Sequence, residues 1–211
     1  MAELRFVGLK DYRIFSLRRV RIRAIFIACT MSQYSTKSGA SYIIRQVAED
    51  DAENLIAYSK AVFASTEQVL TTPVEYTISV ADEKTWINNI SKSPNSKLLI
   101  AEMDGRIIGF LFFIGQQKVK TAHTGEVGVN VHPDYQGMGI GRALMESLIE
   151  WTGDHSQIEK IVLQVFATNH KAISLYQSLG FKEEGWFVKA VKQKDGAYVD
   201  VVQMYLFCNS F

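Results

Sequence analysis

The sequence predicts an α+β (mixed α/β) domain, and three observations carry that prediction. Two Asp-Gly pairs, Asp104-Gly105 and Asp195-Gly196, each separate β-rich runs and mark tight hairpins. A valine-alternating run over 126–131 and an apolar run over 161–166 are each followed by an amphipathic helical stretch. The resulting order, β-α-α-β-β-β-α-β-α-β-β, mixes an antiparallel meander with helical crossovers and argues against a doubly wound parallel sheet.

Each element has a local reason. Residues 42–47 are β-branched and aromatic and read as a first strand. Asp50 with Glu53 resembles a capping box that opens a helix carrying Leu55, Ile56, Tyr58, Val62 and Phe63 and ending near Ser65. Pro73 makes the 71–76 stretch a loop, and a short second helix starts after Ser79 and carries Trp86, Ile87 and Ile90. Strands over 97–103 and 106–115 flank the first Asp-Gly turn. In 126–131 the valines at 127, 129 and 131 share one face, and Glu126, Gly128 and Asn130 the other. A helix over about 139–151 aligns Ile140, Leu144, Leu148 and Trp151. The last helix, 169–179, stops at Gly180, and strands near 187–192 and 198–207 close the chain.

Composition narrows the function classes. At 211 residues with three prolines, the chain predicts one domain plus an appendage and no long linker. Net charge is +1 but unevenly spread: residues 1–30 hold seven basic and two acidic side chains, +5. That leaves 16 basic and 20 acidic residues for 31–211, or −4, which gives no support to a nucleic-acid surface and favours a cationic acceptor. Residues 1–40 are expected to be a basic N-terminal extension, poorly ordered or non-native, ahead of one domain over 41–211. A membrane-surface or partner arm and a targeting signal are the other readings of its first thirty residues. The apolar stretch 24–28 is too short for a membrane span. Cys29 and Cys208 form no ligand spacing and the four histidines no paired pattern, so no metal is expected, and free thiols suit a cytoplasmic protein.

The loop Gln136-Gly137-Met138-Gly139-Ile140-Gly141 lies between a strand and a helix. Alternating glycines let the backbone approach a ligand, and free N–H groups at a helix start suit a phosphate or pyrophosphate. Arg142 adds a cation in the first turn. No complete dinucleotide or Walker glycine motif is present, so this loop alone does not name the ligand.

Gln136-x-x-Gly139-x-Gly141, followed by Asn169-x-x-Ala172-x-x-Leu175-Tyr176-x-x-Leu179-Gly180-Phe181, resembles the paired signature of the GCN5-related N-acetyltransferase (GNAT) superfamily. The resemblance covers about 42–207. It implies a three-layer fold with a central, mostly antiparallel, splayed mixed sheet flanked by helices. It further implies an N-acetyltransferase that uses acetyl-CoA as co-substrate and passes its acetyl group directly to a primary amine: a small molecule, an amino acid derivative, a protein N-terminus or a lysine. Val129 and Val131 would offer main-chain groups to the pantetheine, Gln136, Gly137, Met138, Gly139, Ile140, Gly141 and Arg142 would wrap the pyrophosphate, and Asn169 would bond the pantetheine arm. Asparagine there is equally an ordinary N-cap. Tyr176 matches the tyrosine that donates to the departing sulfur, and Glu126 is the candidate base, with Glu75 as an outside candidate. The acceptor site is expected around 72–86, 123–128 and 187–198, with Tyr76 and Trp86 as wall residues or ordinary core aromatics. A homodimer is allowed for. The rival reading is a non-catalytic acyl-CoA-binding module on the same fold.

Overall fold

A computed structural model describes residues 32–36, 39–155 and 157–208. One eight-stranded sheet runs through the protein. Its strands are β1 (Ser32–Ser35), β2 (Ser41–Gln46), β3 (Lys97–Met103), β4 (Arg106–Gly115), β5 (Thr124–Val131), β6 (Lys160–Phe166), β7 (Lys182–Lys192) and β8 (Tyr198–Phe207). They lie in the order β1-β2-β3-β4-β5-β6-β8-β7. Every neighbouring pair is antiparallel except β5 and β6. The helices are α1 (Ala52–Ser65), α2 (Val80–Ser91), α3 (Ile140–Gly153) and α4 (His170–Ser178).

The helices occupy the two faces and make the expected three layers. Leu55, Tyr58 and Val62 of α1 and Ile87 of α2 bury against Leu98, Ile100 and Phe110 on one face. On the other, Ile140, Leu144, Met145 and Leu148 of α3 and Tyr176 of α4 meet Leu111, Phe113, Val127 and Leu163. Complete burial of each large aliphatic side chain contributes about 1.5–3 kcal/mol, so the α3 row at i, i+4 and i+8 anchors this layer. Trp151, expected in the same row, is only partly buried against it.

The predicted turns form. Asp104 and Gly105 both take positive φ, 49° and 73°, as a tight hairpin whose twist matches its strands requires. Ser79 caps α2 by accepting the Asp82 N–H at 3.1 Å. At the start of α1 the working acid is Asp51, not Asp50. Asp51 accepts the Ala48 N–H at 2.7 Å and pairs with Arg45 through both oxygens at 2.7 Å.

Two expectations shift. Ser32–Ser35 pairs antiparallel with Ser41–Ile44, so the sheet begins inside the stretch assigned to the N-terminal extension. β7 begins at Lys182 rather than near 187, because pairing with β8 carries a polar run that shows no apolar alternation. Residues 1–31, with the basic segment and Cys29, lie outside the described residues. Among the described residues no helix is long and apolar enough to cross a membrane.

β5 and β4 interlock through glycines. A Cβ at Gly125 would stand 2.1 Å from the Phe113 ring, and one at Gly128 2.4 Å from the Phe112 ring. The alternation of β5 therefore leaves room on both faces for phenyl groups of its neighbour.

Candidate active site

The sheet divides at β5 and β6. Their parallel ladder joins Thr124, Gly125 and Glu126 to Lys160, Ile161 and Val162, and it stops there. β5 stays paired with β4 as far as Val131, and β6 with β8 as far as Phe166. The two strands thus diverge into a fork whose inner edges carry backbone groups without a ladder partner.

Pairing parity shows which groups face that fork. The Gln116 N–H donates to the Thr124 carbonyl and the His132 N–H to the Ile108 carbonyl, both at 2.9 Å. In an antiparallel ladder such pairs recur at every second residue, so residues 124, 126, 128, 130 and 132 bond to β4. Val129 and Val131, beyond the last rung of the β5–β6 ladder, consequently turn their N–H and C=O groups into the fork. The Val131 carbonyl already accepts from Gln136 Nε2 at 3.3 Å.

From the tip of β5 a single turn, Pro133–Tyr135, leads to the glycine loop. Gly137 and Gly139 both adopt left-handed backbone, φ 77° and 95°, and an added Cβ would meet nothing within 4 Å at either. Gly139 is the N-cap of α3 and accepts the first helical bond, from the Ala143 N–H at 3.1 Å. The N–H groups of Ile140, Gly141 and Arg142 are then the free donors of the first turn, at the positive end of the helix. This geometry fits a pyrophosphate: donors converge, glycine keeps side chains away, and no carboxylate stands in the first turn of α3. Met138 packs on the core and Ile140 is 1% exposed, so both hold the loop by their side chains and could reach a ligand only through backbone. Arg142 is exposed, with its guanidinium on Ser178 of α4 and Glu146.

α4 borders the loop. A Cβ on Gly141 would lie 3.5 Å from Val131 and 3.7 Å from Leu175, so loop, fork strand and α4 are packed together. Asn169 caps α4 by accepting the Ala172 N–H at 3.2 Å, which occupies its oxygen and leaves the amide nitrogen free to donate. Tyr176 is 8% exposed, its ring 5.9 Å from that of Phe181. Burial pushes its hydroxyl up to about 12, so the phenol stays protonated at physiological pH. Gly180, at φ 92°, ends α4 with Phe181 N–H on the Tyr176 carbonyl and Gly180 N–H on that of Gln177, both 3.0 Å. The Gly180-Phe181 pair thereby fixes the backbone of the tyrosine.

Across β5, on the face of α1 and α2, lies a cavity of ≈ 240 Å³. Tyr76 and Trp86 do line it, with Phe110 and Phe112 of β4 and Asn130 of β5. Glu126 is exposed on the same sheet face but does not line the cavity. Glu75 turns back on its own loop, accepting from the Thr72 N–H and hydroxyl at 2.9 and 2.6 Å. Of the expected acceptor segments, 72–86 lines the cavity, with Glu83 of α2 inside that segment although it was not singled out, while 123–128 and 187–198 do not; α1's share, Tyr58, Ser59, Val62 and Phe63, was missed. Glu83 is a carboxylate at 4% exposure, and burial raises its pKa. Its signal was present: Glu83 stands three, four and seven residues before Trp86, Ile87 and Ile90, on the helix's apolar stripe.

Comparison with known proteins agrees with this geometry. The model of the Acetyltransferase (GNAT) family matches residues 63–181. An L-amino acid N-acetyltransferase of Escherichia coli K12, AaaT, is 32% identical over 119 residues, 56% of this chain and 73% of that protein. The crystal structure of a GNAT-family acetyltransferase from Streptococcus pneumoniae superposes with a TM-score of 0.76 at 25% identity, covering 79% of this chain and 99% of that one. The structure of yncA from Salmonella typhimurium with acetyl-CoA has a TM-score of 0.71 at 22% identity, covering 81% and 95%.

Proposed function

Because this chain belongs to the GNAT family of acetyltransferases, we propose that its β5–β6 fork receives acetyl-CoA and that Tyr176 assists departure of the thiol. The protein is an N-acetyltransferase, moving an acetyl group from acetyl-CoA to an amine. The carrying observation is the fork itself, with Val129 and Val131 turning their amides into it and the Gly137–Gly139 loop at its mouth.

The residue assignments follow from what each group can do. Val129 and Val131 pair with the pantetheine amides much as a missing strand would. Backbone donors of residues 136–142 hold the pyrophosphate, and Arg142 adds charge by turning from Ser178. Asn169 donates its free amide hydrogens to the pantetheine arm. Acetyl-CoA supplies the activated carbonyl; the chain aligns the amine with it, takes up its proton and gives a hydrogen bond to the leaving sulfur. Tyr176 can only donate, since its raised pKa keeps the proton on oxygen. Glu126 is the proposed base through water, because it shares the acceptor-side face of β5 but stands clear of the cavity wall. A cytoplasmic location, a homodimer and, ahead of β1, an N-terminal segment separate from the catalytic unit complete the proposal, the first supported by the free thiol of Cys208.

Tyr176→Phe tests the reading. It is expected to lower kcat by about 10²-fold or more while leaving acetyl-CoA affinity within twofold, roughly, of the parent. Thiol release at saturating amine, with calorimetric titration of acetyl-CoA, measures both. An unchanged rate removes Tyr176 from the mechanism, and binding without any turnover across an amine panel favours a non-catalytic acyl-CoA-binding module.

A further inference from the structure

The cavity across β5 has a composition that selects among amines. Its walls are aromatic: Phe63 meets Tyr76 edge-on at 5.0 Å, and Trp86 meets Phe110 at 6.3 Å. Glu83 is the acid among its lining residues, and none of those residues is arginine, lysine or histidine. Glu83 is 4% exposed as a whole residue and lines the cavity, and its carboxylate makes no side-chain hydrogen bond or ion pair among the described residues. A carboxylate in an aromatic-walled cavity without a counter-charge in the lining is an expensive arrangement that a bound cation would offset. Aromatic faces beside it would add cation–π attraction.

The cavity also sits where an acceptor must. Asn130 lines it, while its chain neighbours Val129 and Val131 turn their amides into the fork on the other edge of β5. The two spaces are thus separated by about one strand width, ~5 Å.

We propose that this cavity is the acceptor site, that Glu83 binds the ammonium group of the acceptor, and that the acceptor is an amine on an apolar or aromatic body carrying no carboxylate beside the amine. The proposal rests on the acetyltransferase reading and sharpens it. A free α-amino acid would bring a carboxylate into a site whose one charged lining residue is an acid, which repels it. This chain would then differ in acceptor from the L-amino acid acetyltransferase it resembles. Glu83 binds the amine as a cation and can accept its proton as the amine approaches the thioester. The neutral amine then attacks the carbonyl, its second proton leaves through water to Glu126, and the C–S bond breaks to release a thiolate that Tyr176 hydrogen-bonds and that takes up a proton from water.

Matched acceptors test the idea: 2-phenylethylamine, L-phenylalaninamide and L-phenylalanine, followed by CoA release with the full-length protein. The amine and the amide are expected to turn over, and the amino acid to have a kcat/KM lower by about 100-fold or more. In Glu83→Gln the KM for 2-phenylethylamine should rise by about tenfold or more, with acetyl-CoA affinity unchanged. Quenching of Trp86 fluorescence, with Trp86→Phe as control, reads amine binding without turnover. L-phenylalanine turning over as well as its amide overturns the proposal, and so does an unmoved KM in Glu83→Gln. In both cases CoA is still released, so acetyl transfer stands. Amine binding with no CoA release from any acceptor sinks the acetyltransferase reading instead.

Discussion

Glu83 pays for its place in the cavity with folding free energy. An unfolded glutamate titrates near 4.3, whereas burial raises the folded value. Between those two values the folded state binds more protons than the unfolded one, so stability falls as pH rises through that window and is level above it. The tyrosines around the cavity, Tyr58 and Tyr76, are both raised by burial and stay protonated throughout, so the carboxyl is the group that changes. Glu83→Gln is therefore expected to raise Tm at pH 7.5, each kcal/mol gained being worth about 2–4 °C for a domain of this size. The gain should shrink towards zero near pH 4, measured by thermal melts of both proteins across the range. A difference that does not vary with pH would mean that Glu83 carries no buried charge. Tyr176 and Asn169 could be proposed from the sequence because they stand in a spaced motif. Glu83 was not read because a lone acid on a helix passes for solvent-facing; only its position on the stripe of Trp86, Ile87 and Ile90 marks it.

At the scale of elements, the glycine loop is the clearest test of how local geometry makes a site. Gly139 holds φ 95° at the start of α3, with open space where a Cβ would stand. Alanine there meets no clash, only the left-handed penalty of about 1–2 kcal/mol. The backbone relieves that strain by rotating the peptide, which turns the first-turn N–H groups off their common target. Gly139→Ala should weaken acetyl-CoA binding by about tenfold and lower Tm by a few degrees, roughly, with helix content unchanged. Calorimetric titration and circular dichroism give the two readouts; unaltered affinity would exclude a pyrophosphate cradle at this loop. Most elements were legible because their signals are local: the Asp104-Gly105 turn, the Ser79 cap, the α3 row. β1 escaped notice because Ser32-Gln33-Tyr34-Ser35 has no apolar alternation and exists through pairing with β2. The fork escaped composition altogether, since the end of the ladder at Glu126 and Val162 is a property of register between distant segments; only the family resemblance foretold it.

Across the whole molecule, the sheet separates two chemistries. One face, with α3 and α4, borders the glycine loop; the other, with α1 and α2, holds the acid-bearing cavity, and β5 serves both. The far margin is different in character. β7 is the last strand, and its neighbourhood exposes Trp186, Phe187, Val188 and Tyr198, with Val188 72% exposed. Exposed apolar side chains along an outer hairpin suit an association surface. β7 also carries two register shifts and Lys182, Lys189 and Lys192, which discourage strand-to-strand extension of a sheet edge. The proposed homodimer should therefore form by packing of side chains over this hairpin, not by joining two sheets. Light scattering is expected to give twice the 23.8 kDa of one chain. Trp186→Glu combined with Val188→Glu should give the monomer mass, because burying two carboxylates costs more than the contact returns. A parent already monomeric at tens of micromolar, or a double variant that stays dimeric, rules this surface out. Since the fork and the cavity are both built within one chain, the monomeric variant should keep its acetyl-CoA affinity.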